Sequence, residues 1–225
     1  MWVIVPCAGM GKRFVGGVPK QYIQINQKTI LEHSLSCFLN HPLIKQIVLV
    51  MHAQDPYYGS LKIMHHPKVH CVLGGKERYH SVLNGLDYLK NNAHQDDWVL
   101  VHDAARPCLQ VVDLNNLIES LREDKIGGIL AMPVSDTLKS VKNNVIQNTL
   151  LRETLWHALT PQMFRLQVLT KAYTYCIRSN IVVTDDSAAV EHLGLQPKIV
   201  PAFHPNPKLT YSQDLPYIER LLSCA

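Results

Sequence analysis

The chain has 225 residues, 47% hydrophobic and 18% charged, with a formal net charge of +4. That length suits one packed α/β domain and is short for two. The mild basic excess lacks the Lys/Arg runs of a nucleic-acid tail. No apolar run approaches the length of a membrane span, and no basic leader precedes the first strand, so neither a span nor a signal peptide is expected. Six cysteines (Cys7, Cys37, Cys71, Cys108, Cys176 and Cys224) are scattered without a C-x-x-C pair. They read as reduced thiols of a cytoplasmic protein.

In chain order, Val3-Ile4-Val5 reads as a buried strand that feeds the loop Pro6-Cys7-Ala8-Gly9-Met10-Gly11-Lys12-Arg13, followed by Pro19-Lys20-Gln21. Residues 29–39 have apolar positions at helical spacing, and Thr29 with Glu32 forms a capping-box pattern. Strands are expected at 44–51 and 68–73, the latter ending at Gly74-Gly75. A helix is expected at 78–89, a strand at 98–101 and the loop His102-Asp103-Ala104-Ala105-Arg106-Pro107 after it. A helix at 112–122 and a strand at 127–133 follow. Strands alternating with helices predict a largely parallel sheet covered on both faces. Residues 134–153 break the rhythm, with a hairpin around Asn143-Asn144 that has no partner helix. So small a hairpin needs a surface to pack on, in its own domain or a neighbouring subunit. Helices return at 166–177 and 186–193, then a strand at 199–202 and a closing helix at 214–222. One domain spanning 1–225, with an excursion at 134–153, is the expected organisation.

The chemistry collects at strand ends. Backbone N–H groups of a glycine-containing turn can cradle an anion such as a triphosphate. Small residues at Ala8, Gly9 and Gly11 let a phosphate approach closely. Arg13 offers a planar fork and Lys20 a point charge. The spacing fits neither the dinucleotide G-x-G-x-x-G nor the P-loop pattern, and a plain tight turn with solvated cations is the alternative. Asp103 sits where a carboxylate could hold Mg²⁺ together with substrate phosphates, or cap a turn. Arg106 could pair with Asp103 or reach an anionic acceptor. Cys7 reads as a small wall residue, not a nucleophile.

The order strand, A-G-M-G, Arg13, Pro19-Lys20 resembles the loop of nucleotidyltransferases that activate sugars and sugar alcohols. Further blocks extend the resemblance: Gly74-Gly75 with Glu77-Arg78 and Ser81, H-D-A-A-R-P, P-V-S-D-T-L-K, L-W-H-A-L-T-P-Q and T-D-D-S-A. Together they resemble the 2-C-methyl-D-erythritol 4-phosphate cytidylyltransferases over nearly the whole chain. The resemblance implies a Rossmann-like nucleotidyltransferase three-layer sandwich with a mostly parallel sheet and a protruding β-hairpin arm. It implies that CTP and methylerythritol phosphate are joined to a CDP-alcohol with release of pyrophosphate. Pro6, Cys7, Ala8, Gly9 and Gly11 would then form the nucleotide loop, and Gly75, Arg78 and Ser81 would hold the nucleoside. Arg13, Lys20 and Lys208 would surround the reacting phosphates, and Asp103 would carry Mg²⁺. Arg106, Thr137, Arg152, Thr160 and Thr184 would bind the acceptor beside Asp103. Residues 134–153 would be an arm exchanged across a homodimer, so that Arg152 serves the neighbour's site.

Two departures stand out. Lys76 stands where relatives often have an acidic residue, and Pro205 where they often have an Asp, which leaves a second metal carboxylate there an open question and Asp103 alone as the metal residue. Three alternatives compete: a ribitol 5-phosphate cytidylyltransferase, a nucleotide-binding regulatory module without catalysis, and a sugar-nucleotide glycosyltransferase. The block L-W-H-A-L-T-P-Q favours methylerythritol phosphate. The four charges Arg13, Lys20, Asp103 and Lys208 favour catalysis over mere binding. No D-x-D motif follows a strand, against the glycosyltransferase.

Overall fold

A computed structural model of the chain describes residues 1–9 and 17–223. Its frame is a seven-stranded sheet. In chain order the elements are β1 (Trp2–Pro6), β2 (Gln24–Ile25), β3 (Lys28–Thr29), α1 (Ile30–Leu39), β4 (Gln46–Met51), β5 (Val69–Leu73), α2 (Arg78–Lys90) and β6 (Trp98–Val101). Then come α3 (Val111–Leu121), β7 (Gly127–Pro133), β8 (Lys139–Lys142), β9 (Val145–Thr149), β10 (Trp156–Arg165), α4 (Leu166–Arg178), α5 (Asp186–Glu191), β11 (Lys198–Pro201) and α6 (Leu215–Ser223). The sheet runs β11-β7-β10-β6-β1-β4-β5.

β1 is apolar at every position because both its faces are covered, as in parallel sheets generally. Val3 and Val5 point to one face, where Leu35 and Phe38 of α1 and Leu114, Leu117 and Ile118 of α3 pack. Trp2 and Ile4 point to the other, against Val82 and Leu86 of α2 and Leu169 and Tyr173 of α4. Three layers result. Each fully buried aliphatic side chain contributes about 1.5–3 kcal/mol by leaving water. The capping box at α1 is made as expected. Glu32 N–H donates to Thr29 Oγ1 at 3.2 Å, and Thr29 N–H donates to Glu32 Oε2 at 2.7 Å. A third, smaller cluster joins Ile218 of α6 to Ala105, Cys108 and Leu209.

Chain order places β4 and then β5 on one side of β1, after which β6 returns to the other side. All three neighbouring pairs, β1–β4, β4–β5 and β1–β6, are parallel. The β1/β6 boundary is therefore a topological switch point, and loops leaving the carboxyl ends of β1, β4, β5 and β6 open a crevice there.

Within the seven-stranded sheet, the strand that periodicity does not announce is β10. It runs antiparallel to both β6 and β7, and its register shifts between Ala158 and Gln162. Pro161 interrupts the pattern, the Thr160–Pro161 bond is cis, and residues 156–158 are exposed. A proline in an interior strand normally argues against one, and the irregularity accommodates it. The expected hairpin is β8–β9, with Asn143 at φ 49° and Asn144 at φ 61°. Two successive left-handed residues make the tight turn whose twist matches the flanking strands.

Gly127 opens β7 at φ +126°, and a Cβ there would collide with the Met163 carbonyl and the Phe164 ring on β10. Gly127→Ala is expected to lower stability by about 2–4 kcal/mol through backbone strain and overpacking. A shift of the urea midpoint with an unchanged m-value would measure it.

Candidate active site

The crevice at the strand ends is a cleft of about 880 Å³, of the size that holds a small-molecule ligand. Its walls are successive extensions of the sheet ladder. Cys7 N–H donates to the Val50 carbonyl at 2.8 Å, Gly74 N–H to Met51 at 2.7 Å and His102 N–H to Ile4 at 2.9 Å. Those bonds hold Pro6–Gly9, Gly74–Gly75 and His102–Ala105 side by side. Gly74 is required where it stands, because a Cβ would strike the Ala8 side chain and crowd Ser81. The Ser81 hydroxyl accepts from Gly75 N–H at 3.2 Å and donates to the Glu77 carbonyl at 3.2 Å. Gln21 lies 4% exposed beneath the first loop and donates to the carbonyls of Cys7 and Gly9 at 3.2 and 3.4 Å.

Asp103 forms the charged floor. Its Oδ1 lies 3.1 Å from Arg78 Nε, and its Oδ2 lies 2.7 Å from Lys208 Nζ and 3.5 Å from Arg106 Nε. Burial opposes the charged carboxylate. Arg78, Lys208 and Arg106 outweigh it and hold Asp103 well below the usual carboxylate range. Arg78 is itself forked onto a second acid. Its Nη1 and Nη2 meet Asp186 Oδ1 and Oδ2 at 3.3 and 2.8 Å, and Asp186 also accepts from Tyr173 Oη at 2.6 Å. Burial works against the Arg78 charge, and Asp186 and Asp103 overcome it.

Lys20 lines the cleft near Lys208, and its Nζ donates to the carbonyl of Leu209 at 2.6 Å. Pro6, Cys7, Ala8, Gly9, Gly75, Arg78, Ser81 and Thr184 also line it. Burial drives the Cys7 thiol far above its ordinary range, and the thiol donates to the Val5 carbonyl at 3.4 Å, as a wall residue would. Gly11 and Arg13 lie outside the described residues. Thr137 and Arg152 sit exposed on the arm and are absent from the cleft wall, Arg152 donating to the Ser135 carbonyl at 2.8 Å. Thr160 and Arg106 lie below the floor. Arg106 Nη1 donates to the Asn206 carbonyl at 2.7 Å and Nη2 to Ala158 at 3.4 Å.

Three residues that support the site carry little sequence signal as site residues. Asp186 sits in T-D-D-S-A, but nothing local tells which acid is buried. Gln21 belongs to P-K-Q, and Asn206 to the segment before Lys208. Each acts by reaching distant backbone or charge. Among the described residues no group of three His, Cys, Asp or Glu side chains converges as a metal cage. The donor set suits Mg²⁺ in another way: Asp103 supplies one anionic carboxylate facing a cleft sized for a polyphosphate, which would supply the remaining oxygens.

A family described as 2-C-methyl-D-erythritol 4-phosphate cytidylyltransferase matches residues 1–223. A relative of that name from Pseudomonas putida is 44% identical over 221 residues, covering 97% of this chain and 94% of the relative. Another from Vibrio vulnificus is 46% identical, covering 98% and 93%. Among solved structures, a 4-diphosphocytidyl-2C-methyl-D-erythritol synthase superposes with a TM-score of 0.85 at 37% identity, over 98% of this chain and 97% of its own. A Francisella tularensis 2-C-methyl-D-erythritol 4-phosphate cytidylyltransferase gives 0.84 at 37%, over 98% of each chain.

Replacing Asp186, which is 0% exposed, by Asn would leave Arg78 half-buried with one carboxylate instead of two. Asp186→Asn is expected to cost about 3 kcal/mol, the scale of breaking a buried ion pair. Chemical denaturation of both proteins would test it.

Proposed function

The chain belongs to the 2-C-methyl-D-erythritol 4-phosphate cytidylyltransferase family, and we propose that the Asp103 cleft is where its reaction takes place. The protein is an enzyme that transfers a cytidylyl group from CTP to 2-C-methyl-D-erythritol 4-phosphate, and its relatives' names do not favour the ribitol 5-phosphate alternative. The observation that carries the assignment to this cleft is Asp103 with Lys208 and Arg78 beside it, facing the loop Pro6–Gly9 and Lys20.

In this reading the triphosphate lies along Ala8–Gly9, where backbone N–H groups and close approach suit phosphate oxygens. Gly11 and Arg13 follow it in the sequence. Gly75, Arg78 and Ser81 border the nucleoside. The acceptor phosphate is already an anion, so it attacks the α-phosphorus in line without a general base, and pyrophosphate departs opposite. What the chain must supply is position and compensation for charge spreading over the phosphorus centre and the leaving group. Lys20 and Lys208 do this, Lys208 turning from Asp103 toward the incoming phosphates. Asp103 would hold Mg²⁺ against those oxygens, and the ion supplies further charge neutralisation there. Thr184 borders the acceptor side, and Arg106 acts on it from below the floor through Asp103.

The arm is read as the contact of a homodimer. Val141, Val145 and Ile146 are 55–61% exposed on it, and Leu151 68%. So many uncovered aliphatic side chains on one short hairpin fit a second copy of the chain. Thr137 and Arg152 would then reach the neighbour's cleft. Work in the cytoplasm fits the free thiols Cys7, Cys37, Cys71, Cys108 and Cys176.

Pyrophosphate release with CTP and Mg²⁺ is expected with methylerythritol phosphate and not with ribitol 5-phosphate. Lys20→Ala is expected to lower kcat more than about tenfold, the scale of one lost charge contact. An unchanged kcat would remove Lys20 from the reaction. Lys20→Ala and Arg152→Ala proteins, each impaired alone, should regain activity when refolded as a mixture. Only mixed dimers then hold an intact site, about a quarter of all sites at equal amounts. No recovery on mixing would count against the exchanged arm.

A further inference from the structure

Thr160 resembles an acceptor-binding residue in sequence, yet it is 4% exposed and its hydroxyl is already engaged on both sides. Asp103 N–H donates to Thr160 Oγ1 at 3.2 Å, and Thr160 Oγ1 lies 3.0 Å from His102 Nδ1. His102 is 0% exposed, and its Nε2 lies 3.1 Å from the Arg106 carbonyl. A carbonyl can only accept, so Nε2 carries the ring proton. The ring is wholly enclosed, where a charge would be costly, so it is neutral and Nδ1 is bare. The Thr160 hydroxyl therefore donates its single proton to Nδ1 and accepts from Asp103. Arg106 N–H donates to the Asp103 carbonyl at 3.1 Å and closes the circuit.

Every bond in that ring has one permitted direction, and none leaves a proton for a substrate oxygen. The same strand is tied on its other side. Asn206 Nδ2 donates to the Thr160 carbonyl at 3.2 Å, and Asn206 Oδ1 accepts from Cys108 N–H at 3.0 Å, two residues before Lys208.

We propose that Thr160 and His102 are positioning residues: their hydrogen-bond ring sets the backbone of Asp103 so that its carboxylate faces Lys208 and Arg78 in the cleft. The inference rests on the reading of Asp103 as part of the working site. Thr160 then affects turnover through Asp103 and leaves acceptor affinity to other residues.

The test compares steady-state kinetics of Thr160→Val, Thr160→Ser, His102→Leu, His102→Gln and Asp103→Asn with the unaltered protein. Thr160→Val keeps the shape and removes the hydroxyl. It is expected to lower kcat about tenfold with KM for methylerythritol phosphate within about twofold, as misplacement of a charged group does. Thr160→Ser should restore kcat. His102→Leu should match Thr160→Val, and His102→Gln, which keeps one acceptor and one donor, should recover most of the loss. A raised KM with unchanged kcat in Thr160→Val would make Thr160 a substrate contact and overturn the proposal, as would full activity. Nitrogen-15 spectra of the histidine-labelled unaltered protein should place the His102 proton on Nε2. A proton on Nδ1 would overturn the proposal without any variant having to fold. Full activity in Asp103→Asn would remove the underlying reading, whereas an inactive Asp103→Asn beside an unimpaired Thr160→Val would remove this inference alone.

Discussion

A buried carboxylate organises this molecule. Asp103 is 7% exposed, and a charge so placed is tolerated only when opposite charges and hydrogen bonds replace the lost water. Arg106 supplies one from the same loop, and Arg78 and Lys208 supply the others from segments far away in sequence. Asp186 in turn answers Arg78. Counting these five groups, three cations face two anions, so the cluster carries one net positive charge, and Lys20 adds another beside it. Such a cleft attracts an anion whatever its detailed recognition. The same ion pairs that let the floor exist also bind the α2 start, the β6 loop and the chain around 208 into one unit.

Around that floor, the sheet provides position. β1, β4, β5 and β6 end on one side of the sheet, and the loops after β1, β5 and β6 continue the ladder by one more hydrogen bond each. Backbone bonds of this kind are made in a low-dielectric surrounding and resist displacement. The loop after β1 is therefore anchored at Cys7 by the ladder and again by Gln21 from below. β10 enters antiparallel between β6 and β7, and its irregularity lets Thr160 reach the Asp103 backbone. A regular strand would have spent that position on the ladder.

The arm obeys different physics from the domain that carries it. β8 and β9 form a two-stranded ribbon, marginal in water by itself. Its aliphatic residues lie uncovered, while the domain buries its own at both sheet faces. Stability in the domain is internal, and in the arm it depends on what lies against it.

Local sequence settled a good deal. The strands at 98–101 and 127–133, the capping box at Thr29 and the Asn143-Asn144 turn all follow from short-range rules of periodicity, capping and left-handed backbone, and the structure repeats them. The residues that gather at the cleft, from Ala8 through Gly75 to Asp103, were legible because strand-end loops carry recognisable patterns. β10 was not legible, since Pro161 breaks its periodicity and its pairing is made entirely with strands distant in sequence. Nor was the difference between Asp185, which caps α5, and Asp186, which holds Arg78. Thr160 reads in sequence as a substrate residue, and only the fold brings His102 Nδ1 within 3.0 Å of its hydroxyl. Propensity, capping and turn chemistry act over a few residues and so are written along the chain. Charge compensation and hydrogen-bond direction depend on which distant groups become neighbours, and tertiary packing alone decides that.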